Sequence, residues 1–284
     1  MTAYLRAPHS KRTTSNQNVS NQNVSSQNVN IGNRNFLITS DDDYLKHIGA
    51  NFEPNMCNLF QLLLRPHFNV VDVGANIGCT SLLFGSLASR VDSFEPSPST
   101  FKLLTLNVQK AALPNVHLHN CGLGVKDEDL TLTFAPSNRS GGFVSNITQV
   151  SIGHTVENIH VKNGDGFLLD KKVDFIKIDV EGFEKYVIEG LQGVIQQNHP
   201  IVVLELNHWC LNAFQRISIP DFFDFLLKTF PILYAIDDTK YADLRDQNER
   251  YHVMYHHINH FKYPNLVGAF DKTQVERLLS TLTK

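Results

Sequence analysis

The chain has 284 residues, 42% hydrophobic and 19% charged, with a formal net charge of −3. That balance suits one substantial folded domain with appendages and excludes both a disordered chain and a global basic field for nucleic acid. Four cysteines (Cys57, Cys79, Cys121, Cys210) are scattered without a C-x-x-C pair, which speaks against a disulfide framework or a cysteine zinc site and fits a reducing compartment.

The start MTAYLRAPHSKR lacks the apolar centre of a signal peptide, and no apolar run approaches membrane-spanning length, so cytoplasmic residence is the expectation. A pentapeptide then repeats: SNQNV at 15–19 and 20–24, SSQNV at 25–29. Its polar composition offers only Val for burial, which predicts a flexible tail over residues 1–35, with a strand or adhesive segment as the alternative. Residues 36–284 read as a single domain.

DDDYLKHI (41–48) opens with an acidic cluster suited to a helix N-terminus, and 55–64 carries apolar residues at helical spacing until Pro66. Strands and helices then alternate. NVVDVG (69–74), VDSFEP (91–96), VHLHN (116–120), LTLTFA (130–135), VDFIKIDVEG (173–182), IVVLELN (201–207), ILYAID (232–237) and LVGAF (266–270) are predicted strands. Helices are predicted at 79–88, 99–111, 183–197 and 221–229. The rhythm implies a mainly parallel sheet covered on both faces. Residues 136–170 break it, and their polar, Gly141-Gly142-containing sequence predicts an irregular, substrate-facing insertion.

The chemistry concentrates in 70-VVDVGANIG-78. A strand running into Gly74-Ala75-Asn76-Ile77-Gly78 lets backbone approach a ligand, and the following helix presents free N–H groups. A dinucleotide fingerprint wants glycine where Asn76 stands, and no G-K-[ST] follows to make a phosphate loop. Glu95, at the end of the next strand, is placed to accept two ribose hydroxyls. Glycine turn and acid together point to an adenosine-containing cofactor, with NAD still open on spacing alone.

FEP (52–54), VVDVGANIG (70–78), FEPSP (94–98), NCGLG (120–124), FIKIDVEGFEKYVIEG (175–190) and VVLELN (202–207) together resemble the FkbM-type methyltransferases. The resemblance implies an α/β class I methyltransferase fold, a Rossmann-like three-layer sandwich on a mostly parallel seven-stranded sheet whose last strand is antiparallel. It implies S-adenosylmethionine as cofactor and methyl transfer to a hydroxyl of a saccharide, glycolipid precursor or secondary metabolite. The expected cofactor set is Glu53, Asp72, Gly74, Ala75, Asn76, Gly78, Glu95, Pro96, Asn120, Cys121 and Asp179, with Asp72 near the methionine end. Catalysis is expected from Asp179, Glu181 and His208.

Lys177, Asp179 and Glu181 end a predicted buried strand at two-residue spacing, so their side chains are expected on the same face at the ligand edge. Glu205 shares a strand end with His208, and His154 is a second candidate base. The run YHVMYHHINH (251–260) reads as solvated surface, although Trp209, Tyr251 and His252 are candidates for a sugar pocket. No metal-ligand set is assigned, and neither a nucleic-acid partner nor a membrane span is expected. Two competing readings remain: an NAD-dependent oxidoreductase, disfavoured by Asn76 and the lack of a Y-x-x-x-K pattern, and an interaction protein retaining the fold.

Overall fold

The structure, a computed structural model, describes residues 24–148 and 152–284. It opens with an antiparallel hairpin, β1 (Ser25–Ile31) and β2 (Arg34–Ser40), turned at Gly32-Asn33, both with positive φ as tight hairpins require. Next come α1 (Tyr44–Ile48), α2 (Pro54–Leu63), β3 (Asn69–Val73), α3 (Cys79–Leu87), β4 (Arg90–Phe94), α4 (Pro98–Ala111) and β5 (Val116–His119). A mainly β stretch follows: β6 (Gly122–Gly124), β7 (Glu128–Ala135), β8 (Asn138–Val144), β9 (Thr155–Asn163) and the short α5 (Gly164–Leu168). The remainder is β10 (Phe175–Ile178), α6 (Glu184–Gly190), α7 (Gln192–Asn198), β11 (Ile201–Glu205), α8 (His208–Gln215) and α9 (Ile219–Thr229). It closes with β12 (Ile232–Asp237), β13 (Lys240–Asp243), α10 (Gln247–His260), β14 (Asn265–Ala269) and α11 (Glu276–Thr281).

The main sheet runs β13-β12-β14-β11-β10-β3-β4-β5. β11, β10, β3, β4 and β5 are mutually parallel, and β14 is antiparallel to both of its neighbours, as the class I methyltransferase fold requires. An eighth strand is present where seven are expected, because β13 folds back on β12 as a hairpin at the edge. Successive strand residues supply opposite faces. Val70, Phe175, Ile201 and Val203 pack with α2, α3 and α4, while Val71, Ile176, Val202 and Leu204 pack with the helices of the other side. Strands buried on both faces explain why these segments read as continuous apolar runs. Ser97 caps α4 by accepting from the Thr100 N–H, with Pro98 at the first helical position.

From β3 the chain moves outward to β4 and β5, then returns to β10 on the other side of β3. The β3–β10 junction is thus the topological switch point, where ligands of open α/β sheets bind beyond the carboxyl ends of the strands.

Three expectations are corrected. The third repeat is not a tail: it forms β1, whose Val29 and Ile31 are fully buried, while its polar residues alternate outward. Buried Asn107 bridges this hairpin to the glycine turn, accepting from Thr39 N–H at 2.8 Å and donating to the Thr39 and Ile77 carbonyls at 3.0 and 2.9 Å. The earlier repeats, apart from Val24, lie outside the described residues. The described part of 136–170 is not irregular: β8 and β9 belong to a second sheet ordered β6-β9-β7-β8, and α5 follows β9. The helix expected over 183–197 breaks at Leu191 into α6 and α7. There Gly190 lies so near the Gly124 carbonyl that a Cβ would come within 1.9 Å of it. Among the described residues, no helix is long and apolar enough to cross a membrane.

Candidate active site

A cavity opens at the carboxyl ends of β3, β4, β10 and β11. Its floor is the glycine turn. Gly74 and Ala75 both donate their N–H to the Phe94 carbonyl at 3.0 Å, curling the chain away from β3. Gly74 has φ +79°, and a Cβ there would stand 1.9 Å from the Asp179 carbonyl oxygen, so β3 and β10 meet at a contact only glycine permits. Asn76, at φ +50°, also lies in the left-handed region.

Glu95 projects from the end of β4 into the cavity wall. One carboxylate oxygen accepts the Asn76 N–H and the other the Ser97 N–H, each at 2.9 Å. Burial pushes its pKa up to about 7, against the downward pull of those two N–H groups. The carboxylate is therefore fixed in orientation and keeps lone pairs for donors in the cavity.

Beneath the floor lies a buried ion pair. Lys177 on β10 is in register with Asp72 on β3, and its Nζ stands 3.3 Å from the Asp72 carboxylate. The same Nζ donates to the Gly74 carbonyl at 2.7 Å and lies 3.5 Å from Asp179. Burial lowers the lysine pKa, but the two carboxylates outweigh it and the net shift is upward. The second Asp72 oxygen accepts from Thr80 and Ser81 hydroxyls at 2.8 and 2.7 Å. Asp72, expected among the cofactor contacts, is wholly buried outside the cavity lining and pins strand, turn and helix together instead.

At the opposite end, Asp179, Glu181 and Glu205 bring carboxylate oxygens within 4.8 Å of one another. Strand alternation does not produce this, because β10 ends at Ile178. Glu181, at φ +50°, belongs to the following turn, which swings it back beside Asp179. Glu181 accepts from Asn207 Nδ2 at 3.2 Å and the Cys210 thiol at 3.0 Å. Burial, then the Asp179 charge, pushes its pKa up to about 7. Glu205 is pushed well above the ordinary range by burial and by Asp179, Glu181 and Glu184. Fully buried Glu184 accepts the Gly182 and Val180 N–H groups at 3.1 and 3.3 Å and so fixes the turn that carries Glu181.

Of the expected set, Glu53, Gly74, Ala75, Asn76, Glu95, Pro96, Asp179 and Glu181 line the cavity. Gly78 does not; it is the left-handed N-cap of α3, packed under Leu104. Asn120 is exposed and donates to the Glu95 and Pro96 carbonyls, and Cys121 is buried behind it. Their neighbours Gly122 and Leu123 form the wall instead. His208 is also outside the lining: as the first residue of α8 it turns away and packs on His257 and Phe261. Neither His154 nor the Trp209, Tyr251 and His252 side chains reach the cavity. The histidine-rich run is α10, largely exposed as expected, except that His257 is fully buried and held at a pKa of about 4 by burial.

The second sheet supplies what sequence reading missed. Leu132, Arg139, Gly142, Val144, Ile159 and Val161 roof the cavity. Arg139 is buried in a bidentate pair with Asp41 at 2.7 and 2.8 Å, joining the roof to the segment before α1. A lone Arg in a polar stretch gives no local signal of such a role.

Residues 72–242 match the family described as the methyltransferase FkbM domain. "Methyltransferase 1" of Beauveria bassiana is 31% identical over 158 residues, covering 48% of this chain and 64% of that protein. "Hexuronic acid methyltransferase AglP" of Haloferax volcanii is 31% identical over 133 residues, covering 46% of this chain and 53% of that protein. The matches thus span less than two thirds of either relative's length. A solved FkbM methyltransferase from Methylobacillus flagellatus aligns at TM-score 0.46 and 16% identity, covering 76% of this chain and 55% of that one. With more than half of its length matched, the chain belongs to the FkbM methyltransferase family.

Proposed function

We propose that the protein transfers a methyl group from S-adenosylmethionine to a hydroxyl oxygen of a saccharide or a related hydroxylated metabolite. The observation that carries this reading is Glu95: a buried carboxylate, oriented by two backbone N–H groups at a strand end and facing a cavity, suits a pair of vicinal hydroxyls. The residues fit the cofactor in other respects. Pro96, Gly122 and Leu123 offer an apolar wall beside Glu95 for a flat base.

When bound, S-adenosylmethionine supplies a methyl carbon already activated by its sulfonium. What remains for the chain is to hold the acceptor in line and to accept a proton from it. Asp179, Glu181 and Glu205, clustered at the cavity, are the groups proposed to take that proton. The saccharide class is supported by the named substrate of the Haloferax relative and by the polar roof residues Arg139 and Ser140. On this reading the described residues from Ser25 onward form one domain around this site, with β7, β8 and β9 covering the acceptor.

The test is transfer of labelled methyl from S-adenosylmethionine to a panel of hexuronic acids, neutral sugars and amines. Label in an ether on a hydroxylated acceptor is expected. Label only in amines, or no cofactor binding by the folded protein, would overturn the reading.

A further inference from the structure

Asp179, Glu181 and Glu205 are held together with only a share of one lysine's charge to compensate them. Among the described residues, Lys177 is the one cation at ion-pair distance from any of them, and it is shared with Asp72. Glu205 Oε2 is shut off from solvent and has no hydrogen-bond partner, although Glu205 lines the cavity beside the other two. A buried carboxylate oxygen left unpaired next to two further carboxylates is strongly unfavourable unless something positive joins them.

Two occupants could neutralise the group: a proton shared between carboxylates, or a cation. Several features favour the cation. Oxygens bound to one hard divalent ion lie about 2.0–2.6 Å from it, so pairs of them are at most about 4–5 Å apart, the spread seen here. The donors come from two rigid strand ends and a turn braced by Glu184, so they are presented together without rearrangement. Glu181 keeps one carboxylate oxygen oriented by Asn207 and Cys210, which leaves the other for a ligand. The donor set is all oxygen. The Cys210 thiol is directed at Glu181, to which it donates at 3.0 Å, and so stands outside that donor set.

We infer that Asp179, Glu181 and Glu205 bind one divalent cation of the hard, oxygen-preferring class, Mg²⁺ or Mn²⁺. Its remaining coordination positions open into the cavity, where acceptor oxygens can occupy them. That second role rests on the methyltransferase reading; binding of the ion does not.

The experiment uses Mn²⁺ as probe, on the full chain freed of metal with chelator, followed by calorimetry and by the loss of free-ion paramagnetic resonance signal. One Mn²⁺ per chain is expected, with Glu205→Gln weakening it at least tenfold and the exposed-site control Asp127→Asn leaving it unchanged. Should Glu205→Gln fail to fold, Glu181→Gln is expected to give the same weakening. S-adenosylhomocysteine binding is measured on the same samples, so failure of the cation site and failure of the cofactor reading are separately visible. Absence of Mn²⁺ binding at millimolar concentration, or wild-type affinity in both Gln variants, would overturn the inference.

Discussion

The two ends of the cavity use the same functional group in opposite ways. At the β4 end, Glu95 has each oxygen met by a backbone N–H, so its charge is spread and its geometry fixed. At the β10–β11 end, three carboxylates face one another and share part of one lysine, and one of their oxygens has no partner. A satisfied carboxylate selects neutral donors such as hydroxyls, while a starved cluster selects positive charge. Burial raises the carboxyl pKa at both ends, with neighbouring carboxylates adding to it at the β10–β11 end; the hydrogen-bonding surroundings separate their chemistry.

Lys177 joins the two ends through Asp72, Asp179 and the Gly74 carbonyl, and removing it is the largest expected perturbation. Lys177→Met leaves Asp72 buried and uncompensated, with an expected loss of about 3–5 kcal/mol in denaturant unfolding. A loss below about 1 kcal/mol would show that the pair is not the keystone described here. Gly74→Ala follows closely. Its Cβ meets the Asp179 backbone and its φ is unfavourable, each effect costing roughly 1–3 kcal/mol. Cofactor binding should weaken along with stability, because turn and strand end must separate; retention of both would break the proposed coupling.

A smaller effect is expected from pH. Glu95, Glu181 and Glu184 have folded-state values raised from 4.5 to about 7. Between those limits the folded chain binds more protons than the unfolded one, so stability falls as pH rises from about 4.5 to 7. Thermal melts in chelator should show a Tm several degrees lower at about pH 8 than at about pH 5. A Tm that climbs over this interval would mean that the acids are not buried as described. Smallest of all, His208→Ala should change methyl-transfer kcat less than about twofold, since its ring packs outside the cavity. A loss of a hundredfold would return His208 to the role of base.

Much of the fold was legible because doubly buried parallel strands write themselves as apolar runs, and the glycine turn and Glu95 lie directly at their ends. What escaped required knowledge of the surroundings. Val29 ends a polar repeat and Ile31 lies just beyond it, and their burial becomes evident only once α3 and α4 lie beneath the hairpin. Asp72 carries the right residue type one step too deep in the strand, where register with Lys177 commits it inward. His208 depends on the rotation of the first turn of α8, which no strand-end argument fixes. Glu205 was visible as a strand-end acid, but its meeting with Glu181 depends on the left-handed turn at 181–182. Arg139 acquires meaning only through the second sheet.

The most direct measurement is calorimetric titration of S-adenosylhomocysteine into the wild-type chain and Glu95→Gln, at two pH values about one unit either side of 7. The expected result is one site per chain, tighter at the higher pH as Glu95 ionises, and weakened at least a hundredfold in Glu95→Gln with its pH dependence gone. Equal affinity for the two proteins, or no binding by the folded wild type, would contradict the assignment of this cavity to the cofactor.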